Sequence, residues 1–202
     1  MIFSKKLTHW HILFGTTMLL VIVLLSSCGA GNTTGTTAPP TPKPPTPTPT
    51  PNVLTQTFTG KDFTIKYPTN WKNSSADPLT TFTDPSGPYI MTIGTGPNPN
   101  DAMPLDKMAN DSLSNVKASM KDAEVVNMPA TITIDGQTWS QFAISDKGSD
   151  TGMEVVALAT NRPDNSPNTK GYVIIYTAQK ASFDQIATTY FMPMLQSFKF
   201  NS

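Results

Sequence analysis

The sequence predicts an α+β fold for residues 53–202, a mostly antiparallel β-sheet covered by helices. Short runs of β-branched, aromatic and alternating residues recur along this stretch. Clusters of glycine, proline, asparagine and aspartate separate them, as in sequential strands joined by tight turns. Such strands pair antiparallel, because parallel neighbours need crossover connections of a dozen or more residues. Two segments instead carry apolar residues at steps of three and four, which is helical spacing.

The strand-like runs are bounded by turn residues, so each has a definite predicted extent. The predicted strands are Leu54–Thr59, Phe63–Tyr67, Leu79–Asp84, Ile90–Gly94, Val125–Ile134, Gln137–Ser145, Glu154–Thr160 and Tyr172–Ala178. Asp135 and Gly136 lie between two of these strands. They predict a hairpin, because both residue types tolerate the positive φ of a type I′ turn.

Two helices are predicted from the apolar spacing. The stripe of the first is Leu105, Met108, Ala109, Leu113, Val116 and Met120. Pro104 suits its first turn. The second helix is predicted to begin at Ser182, an N-cap with Gln185 three residues on. Pro193 is expected to kink or end this helix near its second turn, because proline lacks the N–H that a helix interior needs. The alternative is that Met194–Phe198 continue as a further turn.

The N-terminus has the order of a secretory signal, with Lys5 and Lys6 ahead of the apolar run Leu13–Leu25. As a helix this run reaches about 20 Å, against a hydrocarbon core of about 30 Å. It is therefore too short to span a membrane comfortably. Residues 1–27 are predicted to be a signal peptide.

The end of the apolar run, Leu25-Ser26-Ser27-Cys28-Gly29, resembles the bacterial lipobox. The resemblance implies diacylglyceryl transfer to the Cys28 thiol and cleavage after Ser27. Two or three acyl chains hold a protein at a membrane stably, at about 0.8 kcal/mol per buried methylene. We therefore expect a lipoprotein of the cell membrane that faces the extracytoplasmic side. The alternatives are an ordinary signal peptide with a coincidental cysteine and an uncleaved signal anchor.

Residues 28–52 are predicted to be a disordered tether that starts at the lipidated cysteine. Eight of the 19 prolines lie between Pro39 and Pro51, and the segment from Gly29 to Asn52 has no aromatic residue and no aliphatic residue larger than alanine. Such a segment cannot bury enough apolar area to offset the free-energy cost of ordering its backbone. Its proline-rich half is biased to polyproline II and would span about 40 Å. Besides a spacer, the segment could be a proline-rich ligand or a glycosylation target.

The composition of the chain after the signal excludes several function classes. Both histidines, His9 and His11, lie in the predicted signal, and Cys28 is the single cysteine. A histidine-based triad, a Cys/His zinc site, a histidine-ligated haem and a disulfide framework are thereby excluded. Without Lys5 and Lys6 the 14 basic residues fall to 12, against 14 acidic ones, a charge of about −2. This charge gives no electrostatic footprint for nucleic acid.

Phe63, Ile65, Tyr67, Pro68 and Trp71 have a common structural explanation. The first three alternate to one face of a strand, Pro68 ends its ladder, and Trp71 folds back over the edge of the core. The alternative for Trp71 is a role in stacking against a ligand.

This motif resembles the opening of the PsbP-like (Mog1/PsbP-like) superfamily, and the segment Met194–Phe200 resembles the closing element of that family. The resemblance implies a PsbP/Mog1-like α/β/α sandwich. It also implies binding roles, as in photosystem accessory subunits, a small GTPase partner and lipid-anchored bacterial proteins. It does not imply an enzyme. Metal sites in the photosystem members use histidine, which is missing from the mature chain, so no metal ligand is carried over.

Other candidate chemistry has simpler explanations. Asp146, Asp150 and Glu154 surround a glycine-containing loop, but their spacing is not that of an EF-hand and Lys147 would compete with a cation, so a solvated hairpin loop is expected. No catalytic, cofactor-binding or metal-binding residue is assigned.

We expect the domain to bind an envelope protein partner or a small apolar or glycan ligand without catalysis. An accessory or assembly factor of a membrane complex is the alternative, and a cell-envelope enzyme ranks third.

Overall fold

A computed structural model describes residues 54–120, 122–147 and 151–201 of the chain. The predicted signal peptide, the lipobox with Leu25, Ser26, Ser27 and Cys28, and the predicted tether lie outside these residues. Within the described part, no helix is long and apolar enough to cross a membrane.

The described residues form strands, short helices and 3₁₀ turns. The strands are β1 Leu54–Thr59, β2 Phe63–Pro68, β3 Lys72–Ala76, β4 Leu79–Thr83, β5 Ile90–Pro97, β6 Ala123–Val125, β7 Thr131–Ile134, β8 Gln137–Asp146, β9 Met153–Arg162, β10 Lys170–Gln179 and β11 Lys199–Phe200. The helices are α1 Leu105–Ser112, α2 Ser114–Ser119, α3 Phe183–Ile186, a π-helical turn Ala187–Phe191 and α4 Met192–Ser197, with 3₁₀ turns at Pro99–Asp101 and Lys180–Ser182.

The strands form two sheets. The large sheet has the order β3-β4-β5-β10-β9-β8, and both β6 and β7 pair with the outer edge of β8. The small sheet has the order β1-β2-β11. Every strand pair in the described residues is antiparallel. This arrangement confirms the predicted α+β class with a mostly antiparallel sheet covered by helices.

Both faces of the large sheet are buried, and alternate residues of β9 show how. Val155, Ala157 and Ala159 pack with α1 and α2 on one face. Val156 and Leu158 point to the other face, towards the C-terminal helical segment and the small sheet. Successive strand residues point to opposite faces, so a central strand covered on both sides has an almost continuous apolar sequence.

The hairpin predicted at Asp135-Gly136 is confirmed. Both residues have positive φ, 51° and 73°, and the flanking strands β7 and β8 pair as Ile134↔Gln137 next to the turn. The two-residue loop therefore has the left-handed backbone that this hairpin turn requires.

The single strand predicted over Val125–Ile134 is wrong. The chain forms β6 and β7 with an irregular segment between them, at residues 126–130. Pro129 lies in this segment and has no N–H to donate to a ladder. Its carbonyl instead accepts a hydrogen bond from Gln141 Nε2 at 2.6 Å.

The second helix departs from its prediction at its N-terminus, and beyond Pro193 it follows the alternative of a further turn. The helical backbone continues through Pro193, because a π-helical turn precedes it and the Met192 N–H bonds to the carbonyl of Ala187, five residues back. The wider turn accommodates a residue that cannot donate to its helix. Ser182 precedes α3 but does not cap it, since its hydroxyl donates to the carbonyl of Gln179.

Candidate functional site

A cleft opens at one end of the large sheet, beside the start of α1. Its volume is about 480 Å³. Its walls come from the turn after β5, the start of α1, the β7–β8 hairpin, the end of β9 and the β9–β10 connection. The residues that line this polar cleft are Asp101, Met103, Pro104, Leu105, Gly136, Gln137, Thr138, Thr160, Asn161, Asp164 and Asn165.

Strand order brings these distant segments together. β10 pairs with both β5 and β9, so that Lys170 lies opposite Pro97 on one side and Arg162 on the other. The segments that leave β5 and β9 at these positions therefore emerge side by side. They are rich in asparagine, aspartate and proline, residues that favour turns over strands.

Asn98 joins the two segments beneath the cleft. Its side chain is 4% exposed, and its amide nitrogen donates to Asn161 Oδ1 and to the Met103 carbonyl, each at 3.0 Å. Its amide oxygen accepts the Met103 N–H at 2.8 Å. A buried amide with its polar groups paired fixes the geometry of its neighbours. The cleft thus rests on a rigid base.

Left-handed backbone is concentrated around the cleft. In the described residues, the non-glycine positions with positive φ are Asn100, Asp101, Asp135 and Asn165, at 50° to 54°. Asp101 and Asn165 line the cleft, and the other two adjoin residues 101 and 136 in its wall. Asparagine and aspartate tolerate this conformation better than most residues, yet it remains strained and is enriched at functional sites.

Only one of the two carboxylate oxygens of Asp101 has a hydrogen-bond partner. Oδ2 accepts a hydrogen bond from the Asn165 backbone N–H at 3.0 Å. Oδ1 is buried and has no hydrogen-bond partner in the structure. A buried polar atom without a partner is unfavourable by about 1–3 kcal/mol, more when charged.

The charged side chains among the described lining residues are acidic. Asp101 and Asp164 are acidic, and none of the lysines and arginines that the structure describes lines the cleft. The remaining polar groups are amides and hydroxyls, while Met103, Pro104 and Leu105 supply an apolar side. Within the described residues no group of three or more histidine, cysteine, aspartate or glutamate side chains could hold a metal ion.

The residues of the sequence motif lie elsewhere. Phe63, Ile65 and Trp71 are at most 5% exposed and belong to the core on the face of the C-terminal helical segment, and Tyr67 packs partly buried against it. Pro68 is the last residue of β2. None of these residues lines the polar cleft. The Trp71 indole packs on Tyr190 and Phe191, at ring-centroid distances of 5.5 and 6.0 Å.

A second, smaller concavity lies along the outer edge of β8. This apolar groove has a volume of about 330 Å³ and is lined by Val125, Val126, Asn127, Met128, Ala130, Gln141, Phe142 and Ala143. Val125 is 60% exposed, whereas the other large aliphatic side chains of the described residues are buried or partly buried.

Sequence analysis used Pro104, Leu105 and Gly136 as signals of a helix and a hairpin, but no motif marked these or the other cleft residues as a site. The one available signal is the repeated asparagine–aspartate–proline composition of residues 98–101 and 161–168. This composition predicts two loops, but it does not show that they meet.

Comparison with known proteins gives only distant structural likenesses. No family model matches the chain, and no curated protein matches it significantly. A Bacteroides thetaiotaomicron VPI-5482 protein of known crystal structure is 14% identical, with a TM-score of 0.42 over 69% of this chain and 45% of that protein. LpqN of Mycobacterium tuberculosis, involved in cell envelope biogenesis, is 12% identical, with a TM-score of 0.45 over 69% of this chain and 83% of its own. The chain thus spans less than half of the first protein.

Proposed function

We propose that the protein is an extracytoplasmic lipoprotein, anchored to the cell membrane at Cys28, whose folded domain binds a small polar ligand in the polar cleft without catalysing a reaction. The polar cleft itself, whose lining combines two carboxylates, amides and hydroxyls with an apolar side, carries the binding part of the proposal. A pocket with a few convergent polar groups is the usual form of a ligand site.

The anchoring part of the proposal rests on the sequence. Leu25, Ser26, Ser27 and Cys28 match the lipobox, and the Thr/Pro-rich segment from residue 29 to residue 52 would hold the domain away from the headgroups. The membership in the PsbP-like superfamily that Phe63 and Trp71 suggest belongs to the same proposal.

The absence of catalysis is argued from residue types. The chain after the predicted signal has no histidine, so a serine or threonine near the cleft has no imidazole to activate it. The lining offers two carboxylates, Asp101 and Asp164. One of them is engaged with the Asn165 backbone, which suits a structural and binding role.

A blocked cleft tests the binding. Thr138 is exposed in β8 and lines the cleft, whereas Thr131 is exposed in the adjacent β7 and lies outside it. Both face solvent from strand positions, so Thr131→Trp is a matched control for Thr138→Trp. The full chain in neutral detergent is screened by thermal shift against sugars, amines, dicarboxylates and cell-wall fragments.

We expect the Tm to rise with one class of ligand. A ligand at about one hundred times its Kd stabilises the folded state by about 2.7 kcal/mol, which corresponds to several degrees in Tm. Thr138→Trp should abolish the shift and Thr131→Trp should keep it. A ligand that is converted to product, seen by mass spectrometry, would contradict the non-catalytic role. A panel without any shift would contradict the ligand-binding role.

One observation favours the alternative function, an accessory or assembly factor of a membrane complex. Val125 is 60% exposed beside the apolar groove, where an apolar side chain of an envelope protein could pack. A photo-crosslinker at position 125 tests this function in intact cells. Crosslinks to one membrane protein that disappear on mutation of Phe142 to serine would support it, and crosslinks to none would contradict it.

A further inference from the structure

We infer that the solvent side of the small sheet docks on the anionic headgroups of the membrane that holds the lipid anchor. This inference rests on the anchoring part of the proposed function, since it names the surface that the anchored domain turns towards the membrane. Two independent observations support it: the charge of this side of the sheet and the place where the predicted tether joins the domain. This surface, the lysine face, consists of Thr57, Thr59, Thr64, Lys66 and Lys199 with Lys61 in the adjoining β1–β2 turn.

The strand register places these side chains on the solvent side of the small sheet. Phe58 of β1 lies opposite Ile65 of β2, and both pack into the core. Thr64 and Lys66 flank Ile65 along β2, so their side chains point away from the core. Lys199 of β11 lies opposite Thr64 and points the same way. The ammonium groups of neighbouring strands therefore share one surface.

The lysine face is basic in a domain that is otherwise acidic. The small sheet and the β1–β2 turn contain three lysines, Lys61, Lys66 and Lys199, and one acidic residue, Asp62, which pairs with Lys170 of β10 at 2.6 Å. The rest of the described residues contain seven basic and twelve acidic side chains. An anionic surface attracts the small sheet and repels the remainder, so it orients the domain as well as holding it.

Two lysines of this face are free to meet lipid phosphates. Lys61 and Lys66 are exposed and form no ion pair with any residue that the structure describes. Lys199 pairs with Asp135 at 2.8 Å and stays exposed. Ammonium groups and threonine hydroxyls are both donors, and a phosphate oxygen accepts from either.

The predicted tether joins the domain at this same sheet. β1 begins at Leu54, and the tether and the anchor at Cys28 precede it in the chain. At about 3.1 Å per residue, the proline-rich half of the tether sets the largest distance between the domain and the headgroups, not the smallest. A tethered domain also meets the membrane at a high effective concentration, so a few lysines suffice for docking. The inference thus adds a docked position to the lifted one that the tether permits.

Neutron reflectometry of the full lipidated chain in supported bilayers tests the inference. It measures the thickness of the water layer between the headgroups and the protein. One bilayer contains anionic phosphatidylglycerol, and the other is phosphatidylcholine, which has no net charge. The test variant is Lys61→Glu with Lys66→Glu. The matched control is Lys117→Glu with Lys147→Glu, which makes the same change of charge at exposed lysines of α2 and of the segment after β8.

We expect wild-type protein to contact the anionic headgroups without a water layer. A water layer should appear for Lys61→Glu with Lys66→Glu, because two attractive charges become repulsive, and the control variant should stay in contact. Wild-type protein should also lift off phosphatidylcholine, and off the anionic bilayer in about 1 M sodium chloride, where the Debye length is about 3 Å. Thermal unfolding checks that both variants are folded.

Other outcomes separate this inference from the proposed function. Wild-type protein that is held by the anionic bilayer but kept from its headgroups by water would overturn the inference and leave the anchored lipoprotein. Contact that survives Lys61→Glu with Lys66→Glu, or that the control variant abolishes equally, would overturn it too, because the lysine face would not be responsible. A chain that is retained by neither bilayer would overturn both, since the anchor would be missing.

Discussion

A hydrogen bond joins Asp101 and Asn165, and both residues have left-handed backbone conformations. The Asn165 N–H donates to Asp101 Oδ2 at 3.0 Å, and their φ angles are 50° and 53°. The two residues are 64 positions apart in the sequence, so this contact closes one side of the polar cleft between two loops. It also leaves Asp101 Oδ1 as the oxygen that faces no protein donor.

The backbone at residue 165 makes a stability prediction. Asn165→Ala should destabilise the fold by about 1–2 kcal/mol, because alanine is disfavoured at positive φ. Asn165→Gly should lose less stability than Asn165→Ala, since glycine adopts this conformation freely. Urea unfolding of the two variants gives the comparison. If alanine is tolerated better than glycine, the loop is not held in this conformation in solution.

Trp71 makes a prediction about packing. It is 4% exposed, so Trp71→Ala should lose about 3–5 kcal/mol by creating a cavity. The indole N–H is buried without a partner, so Trp71→Phe gives up no hydrogen bond and should lose much less. Denaturant unfolding distinguishes the two. Full stability of Trp71→Ala would show that the residue is exposed and available to a ligand.

The surroundings of the Asp135 carboxyl predict that the protein loses stability in acid. Burial raises the pKa of its carboxyl, but hydrogen bonds from Lys199 and the Phe200 N–H, with the charges of Lys199 and Arg162, bring the pKa below its ordinary value. A lowered pKa contributes stability that is present above the unfolded-state pKa and is lost as the pH falls through the folded-state value.

The matched variant for this effect is Asp135→Asn, which keeps the turn but cannot ionise. Wild-type protein should lose stability as the pH falls below about 4, and Asp135→Asn should lose less over that range. The quantity to measure is the urea midpoint as a function of pH. Parallel curves for the two proteins would show that the Lys199 pair contributes nothing.

The surroundings of the Glu154 carboxyl predict the opposite pH dependence, a contribution to stability that is lost as the pH rises. Partial burial near the start of β9 raises the pKa of its carboxyl, the Asp184 charge raises it further, and Lys180 opposes both. A raised pKa gives stability that is full below the unfolded-state value and is lost as the pH rises through the folded-state value. Glu154→Gln should therefore stabilise the protein at neutral pH.

The gain from Glu154→Gln should vanish in acid, where the wild-type carboxyl is protonated. Thermal unfolding at pH 7 and at about pH 4 tests this pattern. Asp184→Asn serves as the companion variant, since it removes the like charge and should also raise the Tm at neutral pH. A lower Tm for Glu154→Gln at neutral pH would contradict the assignment.

Cys28 makes a prediction about location. Cys28→Ser should abolish lipidation and release the protein from the membrane, because serine has no thiol to accept the diacylglyceryl group. Fractionation after a high-salt wash, together with mass spectrometry of the N-terminal peptide, gives the readout. A Cys28→Ser protein that stays with the membrane would favour an uncleaved signal anchor.

Much of the fold could be predicted because local patterns determine it. β1 has the predicted bounds, and β8, β9 and β10 extend their predicted runs by one or two residues at the ends. The alternation of residues and the turn at Asp135-Gly136 are local signals. β3 was missed because Lys72–Ala76 has four polar residues followed by an alanine, and every residue of it is exposed at the edge of the sheet.

The polar cleft could not be predicted, because it depends on which strands are neighbours. Residues 98–101 and 161–168 look like ordinary loops in the sequence, and only the pairing of β10 with both β5 and β9 places them together. The left-handed conformation of Asn165 depends likewise on a carboxylate from a distant loop. Side-chain chemistry was thus visible in the sequence, whereas proximity was not.

The position of β1 bears on mechanical load. Among the described strands β1 pairs only with β2. Of its six residues only Leu54 and Phe58 are partly buried, and Leu54 lies opposite Pro68, which has no N–H. A pull from the chain ahead of Leu54 therefore acts first on the weakest end of the ladder. Peeling the strand would lengthen the chain by about 20 Å, at about 3.3 Å per residue, while the large sheet stays closed. The first strand of the domain would therefore detach from β2 under tension before the large sheet opens.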